Sequence, residues 1–163
     1  MMNEAVSDDV DRDKLTAALD QVNRARLGLR TGDDPAAIER DIEDMYRPSV
    51  KLAIYGTLAP GKVNHHHIAG LGGAWQDAAV RGSLGRVPCG IHEGLPAMLL
   101  DPASPLQPLK LLTCEGLPAA WPRLDAFEGE EMQRLLVPLE REGGITGVAN
   151  IYALRRAMVE ALG

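Results

Sequence analysis

Apolar positions recur at helical spacing through the first quarter of the chain and in short strand-like runs through the rest, with the change of character at Pro48. Leu15, Leu19, Val22 and Leu29 form the stripe of one amphipathic helix, and Ser7, Asp8 and Asp9 precede it as cap candidates whose side-chain oxygens can accept from the first free N–H groups. Gly32 then closes a turn. Asp34 and Pro35 read as the cap and first position of a second helix, with Ile38, Ile42 and Met45 on one face and an end before Pro48, whose ring disfavours helical backbone in the residue ahead of it. The result is a helical hairpin over residues 1–47. Two helices of this size cannot bury their apolar faces alone, so the hairpin must pack on the body of this protein, on a partner protein or on a second copy.

From Val50 onward, Gly and Pro punctuate the pattern, and strands are expected near residues 50–55, 80–87, 97–100, 108–113, 133–141 and 145–153. Gly143 and Gly144 between the last two predict an antiparallel hairpin. One helix interrupts the series, with Pro118 in its first turn, Pro122 early enough to be tolerated, and Trp121, Leu124 and Phe127 turned inward. Residues 154–162 read as a short final helix. The expected class is α+β: a small mixed β-barrel with flanking helices over residues 48–163, preceded by the hairpin. The mouth of such a barrel can hold one small ligand.

Composition narrows the partners. With 163 residues, 45% of them apolar, the chain can build one real core. A formal net charge of -6 and no clustered Lys or Arg argue against nucleic acid or an anionic membrane surface, because counterion release requires clustered cations. Two cysteines, Cys89 and Cys114, are few enough to read as reduced thiols of a cytosolic protein. The opening residues are acidic and polar, and no apolar run approaches the roughly 18 residues of a membrane span, so a cytoplasmic location without a signal peptide is expected.

Two segments carry the chemistry. In residues 52–67, LAIYGTLAPGKVNHHH, an apolar strand breaks into a loop spaced by Gly56, Pro60 and Gly61, a form that can aim bare backbone N–H groups at an anion. In residues 124–131, LDAFEGEE, Glu128 stands just before Gly129, the residue most apt to end a helix. There the negative end of the helix dipole and the like charges of Asp125, Glu130 and Glu131 disfavour ionisation of Glu128, and burial in an apolar barrel would add to both. A carboxyl so raised suits a general acid/base at neutral pH. The competing reading is a solvated, mildly frustrated helix end. His65, His66 and His67 with Cys89, His92 and Cys114 invite a metal, but neighbouring residues in irregular backbone point different ways and the Cys89–His92 spacing has no matching pair, so no metal is expected. Trp75 and Trp121 read as core or pocket wall. Arg134 could meet a substrate carboxylate, stay solvated, or pair with Glu130.

Tyr55-Gly56-Thr57-Leu58 directly after an apolar strand, followed by Pro60-Gly61 and then Asn64 and His65, resembles the signature of the γ-glutamylcyclotransferase-like family. Leu124, Asp125, Phe127, Glu128 and Gly129 resemble that family's second signature, which carries its catalytic glutamate. The resemblance runs over residues 53–152, includes Leu95-Pro96-Ala97 and the last strand, and leaves the hairpin outside it. It implies an enzyme that converts a small γ-glutamyl amide into 5-oxoproline and a free amine with neither metal nor organic cofactor. Tyr55, Gly56, Thr57 and Leu58 would cradle the substrate's α-carboxylate, Glu128 would move the protons, and His65 would start the turn behind the cradle. Met132 stands where many relatives carry a tyrosine, and residues 106–113 lack the family's glycine and valine pattern, so the leaving group (a peptide, a simple amine, a lysine side chain or an acylated metabolite) is left open. The fold also recurs as an accessory domain, which gives the alternative of a non-catalytic small-ligand module that uses residues 1–47 for protein contact.

Overall fold

A computed structural model describes residues 2–32, 34–90, 92–142 and 144–155, with the backbone alone described for residues 2–11. Its elements are α1 (Met2–Arg26), α2 (Pro35–Tyr46), a 3-10 turn (Pro48–Val50), β1 (Lys51–Ile54), α3 (His66–Ala69), β2 (Ala74–Arg86), β3 (Pro96–Leu100), β4 (Leu106–Thr113), α4 (Leu117–Glu128), β5 (Met132–Arg141) and β6 (Gly144–Leu154). Leu154 closes β6 and Arg155 follows it outside any element, so the expected final helix does not start at 154; its residues 156–162, like Gly143 of the expected turn, lie outside the described residues.

Six strands run in the order β1-β4-β2-β3-β6-β5, and β1 pairs again in parallel with β6, so five of them close a ring with β5 attached outside it to β6. This is the small mixed barrel with flanking helices that the sequence pattern and the resemblance indicated. Antiparallel ladders join β2 to β4 over eight registered pairs and β5 to β6 over ten, whereas β3 meets β6 at Met98 and Ala153 alone. Tyr55 reinforces that thin seam. Its buried phenol accepts from the Met98 N–H at 2.9 Å and donates to the Tyr152 carbonyl at 2.6 Å, giving partners to two backbone groups where the ladder is short. Burial also pushes the phenol's pKa upward, so it keeps its proton.

Ala53, Val80, Met98, Leu109, Leu111, Val137, Leu139, Ala149 and Ile151 form one apolar cluster. A second lies under α4, where Leu117, Ala120, Trp121 and Leu124 pack on Leu52, Ile54, Ile68 and Leu112. Because β6 runs between these clusters, every residue from Val148 to Leu154 except the polar but equally buried Asn150 is apolar. Continuous burial of this kind erases the alternation by which a half-exposed strand is recognised.

The hairpin lays Leu19, Val22 and Ile42 on Leu136 of β5 and Val148 of β6. Asp34 caps α2 by accepting from the N–H groups of Ala36 and Ala37 at 3.1 and 3.3 Å. Three details depart from the sequence expectation. Helix α1 already begins at Met2, so Ser7, Asp8 and Asp9 lie within it rather than ahead of it, and Leu29 lies beyond its end. Met45 is 72% exposed, the inward row of α2 being Ile38, Ile42 and Tyr46 at successive steps of four. Strand β2 starts at Ala74, six residues early, because its first half, none of it fully buried, is held by the β4 ladder rather than by burial. Asn23 of α1 meets the outer side of β5: its amide donates to the Leu136 carbonyl and accepts from the Leu136 N–H, each at 2.8 Å, as a neighbouring strand would.

Candidate active site

At the C-terminal end of β1 the chain leaves the ring at Tyr55 and turns through a loop that α3 closes. The loop is pinned from behind. Asn64 donates from its side chain to the Thr57 hydroxyl and from its backbone to the Thr57 carbonyl, both at 2.9 Å, and the His65 ring meets the Leu58 carbonyl at 2.9 Å. Leu58 drops into the core and anchors the far side. Ala59 and Lys62 donate within the loop, but among the described residues no backbone carbonyl outside the strand ladders accepts from Gly56, Thr57 or Leu58. Three successive N–H groups left in this way can serve an anion. Gly56 has no positive φ, and a Cβ built on it would have nothing within 4 Å, so neither backbone strain nor packing requires a glycine there.

Glu128 is brought to the same place by α4. The helix ends at Gly129, whose φ of 83° and ψ of -178° lie in a region open only to glycine rather than in the left-handed helical region common after helices. Glu128 is half-buried and lines one cavity together with Tyr55, Gly56, Thr57 and Leu58. Empty space there amounts to about 530 Å³, its open mouth included, and the remaining wall includes Val87, Leu95, Pro96, Met132 and Tyr152. Among the described residues the Glu128 carboxylate forms no ion pair with Lys or Arg, and no protein group donates a hydrogen bond to it. Its pKa is pushed up to about 7, first by burial; His92 pulls it down and Asp125 adds to the rise. Removal from water thus outweighs the crowding of acids that the sequence emphasised. Glu130 is exposed, and Glu131 folds against Gly90 and Gly129.

Two residues at the mouth were not singled out for this site. Phe127 is flanked by imidazoles, with His67 at 4.1 Å and His92 at 5.1 Å between ring centroids, and His92 also meets the Phe127 carbonyl at 2.6 Å. The histidines and cysteines considered for a metal are not brought together: His66 meets the Val63 carbonyl, buried Cys114 the Leu71 carbonyl, and Cys89 is exposed. Among the described residues no three His, Cys, Asp or Glu side chains converge. Trp121 is core, donating to the Ser49 carbonyl at 3.0 Å, and Trp75 stacks obliquely on His65 outside the cavity. Arg134 pairs with Asp125, not with Glu130, and lies 4.4 Å over the Trp121 ring. Among the described residues no helix is long and apolar enough to cross a membrane.

Comparison with known proteins adds the fold. No family model and no curated protein matches the chain. Among solved structures, allophanate hydrolase from Kluyveromyces lactis superposes with a TM-score of 0.53 at 16% identity, over 67% of this chain and 18% of that one. The protein c4763, specific to uropathogenic E. coli, gives 0.51 at 13% identity over 68% of this chain and 83% of its own. YkqA from Bacillus subtilis gives 0.48 at 24% identity over 64% and 35% of the two chains. The barrel is a shared fold. This chain thus spans well under half of YkqA and under a fifth of the hydrolase.

Proposed function

We propose that the chain is a γ-glutamylcyclotransferase-like enzyme that converts a γ-glutamyl amide into 5-oxoproline and a free amine. The reading rests on one observation: a half-buried carboxyl that no Lys or Arg among the described residues pairs with shares a cavity with a loop whose N–H groups, among those residues, have no backbone acceptor outside the strand ladders. In this scheme the N–H groups of Gly56, Thr57 and Leu58 hold the substrate's α-carboxylate, and the Tyr55 ring forms wall. The folded glutamyl chain brings its α-nitrogen against its own γ-carbonyl carbon, and orientation of this kind can contribute about 7–11 kcal/mol in favourable cases. Ionised Glu128 takes one proton from the α-ammonium and the nitrogen–carbon bond forms; the tetrahedral intermediate then collapses with cleavage of the bond to the leaving nitrogen as Glu128 returns that proton to it, and the second proton that the ring nitrogen sheds passes to the released amine, which leaves as its ammonium. A carboxyl near pKa 7 can do both at neutral pH. Nucleophile and leaving group both belong to the substrate, so the scheme calls on no metal or organic cofactor.

The test is release of 5-oxoproline from a panel of γ-glutamyl amides by the wild type and by Glu128→Gln. Turnover that survives in the variant would sink the assignment. A second reading is favoured by the likeness to only a small part of a larger hydrolase chain: a non-catalytic module that keeps the carboxylate cradle and offers the outer face of the hairpin to another protein. Binding of small carboxylates with no turnover of any panel member would select it.

A further inference from the structure

The hairpin reaches the acidic end of α4 through a continuous set of polar side chains. Arg26, the last residue of α1, donates to the Asn150 side-chain oxygen at 2.9 Å and to the Arg134 carbonyl at 3.2 Å, and pairs on its other side with Glu39 of α2. Asn150 is 1% exposed, in the middle of β6; its amide nitrogen donates to the Pro48 carbonyl at 2.8 Å, and its oxygen accepts from Arg134 at 3.1 Å as well as from Arg26. Arg134 in turn holds Asp125 with two bonds, Nε to Oδ1 at 2.9 Å and Nη2 to Oδ2 at 3.4 Å, and Tyr152 donates to the same Asp125 Oδ1 at 2.6 Å. Asp125 stands one helical turn before Glu128.

A planar guanidinium held on one face and along two edges has little freedom left. Trp121 lies beneath Arg134, Asp125 takes one side, and Asn150 takes the corner that Arg26 also occupies. Asn150 can serve both arginines only because its amide nitrogen is already committed to Pro48, which turns its oxygen toward them. We propose that Arg26, Asn150 and Arg134 are positioning residues for Glu128, so that the N-terminal hairpin, outside the barrel ring, fixes and neutralises the carboxylate beside the acid/base. The acid/base role is that of the function proposed above; the coupling itself is a property of the unliganded protein. Groups facing Glu128 from elsewhere are His92 from the loop before β3, Tyr55 from the end of β1 and Tyr152 from β6. Of these, Tyr152 also holds Asp125, so the hairpin reaches Glu128 through Asp125, both directly and by way of the Tyr152 phenol.

The experiment reads Glu128 directly, by carbon-13 NMR titration of its side-chain carboxyl in the full-length protein without substrate, the resonance being assigned by its loss in Glu128→Gln. Arg134→Met leaves the Asp125 charge uncompensated, and the Glu128 midpoint rises by about 0.5 unit or more. Arg134→Lys, which keeps a charge without the fork, gives a smaller rise. Arg26→Met raises the midpoint in the same direction by a few tenths of a unit. If Arg134→Met does not fold, Asp125→Asn serves in its place: it lowers the midpoint, and adding Arg26→Met to it produces no further change. A midpoint unmoved in both arginine variants overturns the coupling, and one moved in Arg134→Met alone overturns the hairpin's share. These readouts are independent of turnover, so an inactive wild type would refute the enzymatic reading and leave this result standing.

Discussion

Two glutamates of this protein lie withdrawn from solvent, and their surroundings could hardly differ more. Glu140 on β5 is 4% exposed and meets two arginines, Arg12 at 2.7 Å and Arg81 at 3.1 Å. Glu128 opens on a cavity with no such partner, and burial lifts its pKa to about 7. A carboxylate taken out of water can bind the cations the fold brings to it, as Glu140 does, or meet the cost of desolvation without them, as Glu128 does. Burial alone therefore marks neither as functional; the company each keeps separates a structural acid from a reactive one.

The largest expected difference is in turnover. Glu128→Gln should lower 5-oxoproline release by about 10²- to 10⁴-fold, while Glu140→Gln should stay within roughly threefold of the wild type, both read from initial rates. Stability should reverse the order. Glu140→Gln leaves two arginines without their carboxylate and should cost about 2–4 kcal/mol in urea unfolding. Glu128 carries the opposite sign. Its folded pKa is raised from an ordinary 4.5 to about 7, so the cost of burying its charge is absent below pH 4.5, grows between the two values and is complete above pH 7. Glu128→Gln should accordingly be more stable than the wild type at pH 8, by about 2 kcal/mol allowing for solvent at the mouth, and equal to it near pH 4. Equal stability at both pH values would remove the physical basis for a raised pKa.

The comparison can also be collapsed by giving Glu128 the partner it lacks. Leu95 lines the cavity wall, and Leu95→Lys should bring an ammonium toward the carboxyl and lower the acidic midpoint of the pH–rate profile by about 1 unit. Smallest in stability is Gly56→Ala: no atom stands within 4 Å of the new Cβ and φ is not positive, so Tm should shift by only about 1 °C, whereas KM should rise if the loop approaches substrate as closely as proposed. An unchanged KM would place the substrate away from that loop.

The elements most legible from sequence were those punctuated by local chemistry. Asp34-Pro35 starts α2 and Gly129 stops α4, each because the local chemistry of a helix end decides the matter. The first half of β2 was illegible because cross-strand pairing, which no local pattern reports, holds it in place. Tyr55 was read as part of the cradle, and its ring does line the cavity, but its hydroxyl is spent on the barrel seam, a contact spanning 97 residues to Tyr152. The Asp125–Tyr152 and Arg134–Asn150 contacts escaped for the same reason: inside a strand buried on both faces, nothing distinguishes a tyrosine that packs from one that also orients an acid. Glu128 stood out because a carboxylate before a helix-ending glycine is unusual in itself; burial is the first cause of its raised pKa, and of the neighbouring acids Asp125 adds a smaller push.

Asn23 has a bearing on how shortened versions of this protein behave. With residues 1–47 cut away, the Leu136 N–H and carbonyl lose the amide that satisfies them, and Leu136 and Val148 lose their cover. Two truncated chains could then satisfy each other by intermolecular pairing along β5. Oligomers that appear only after such trimming would be made by the scissors, and would say nothing of how intact molecules associate.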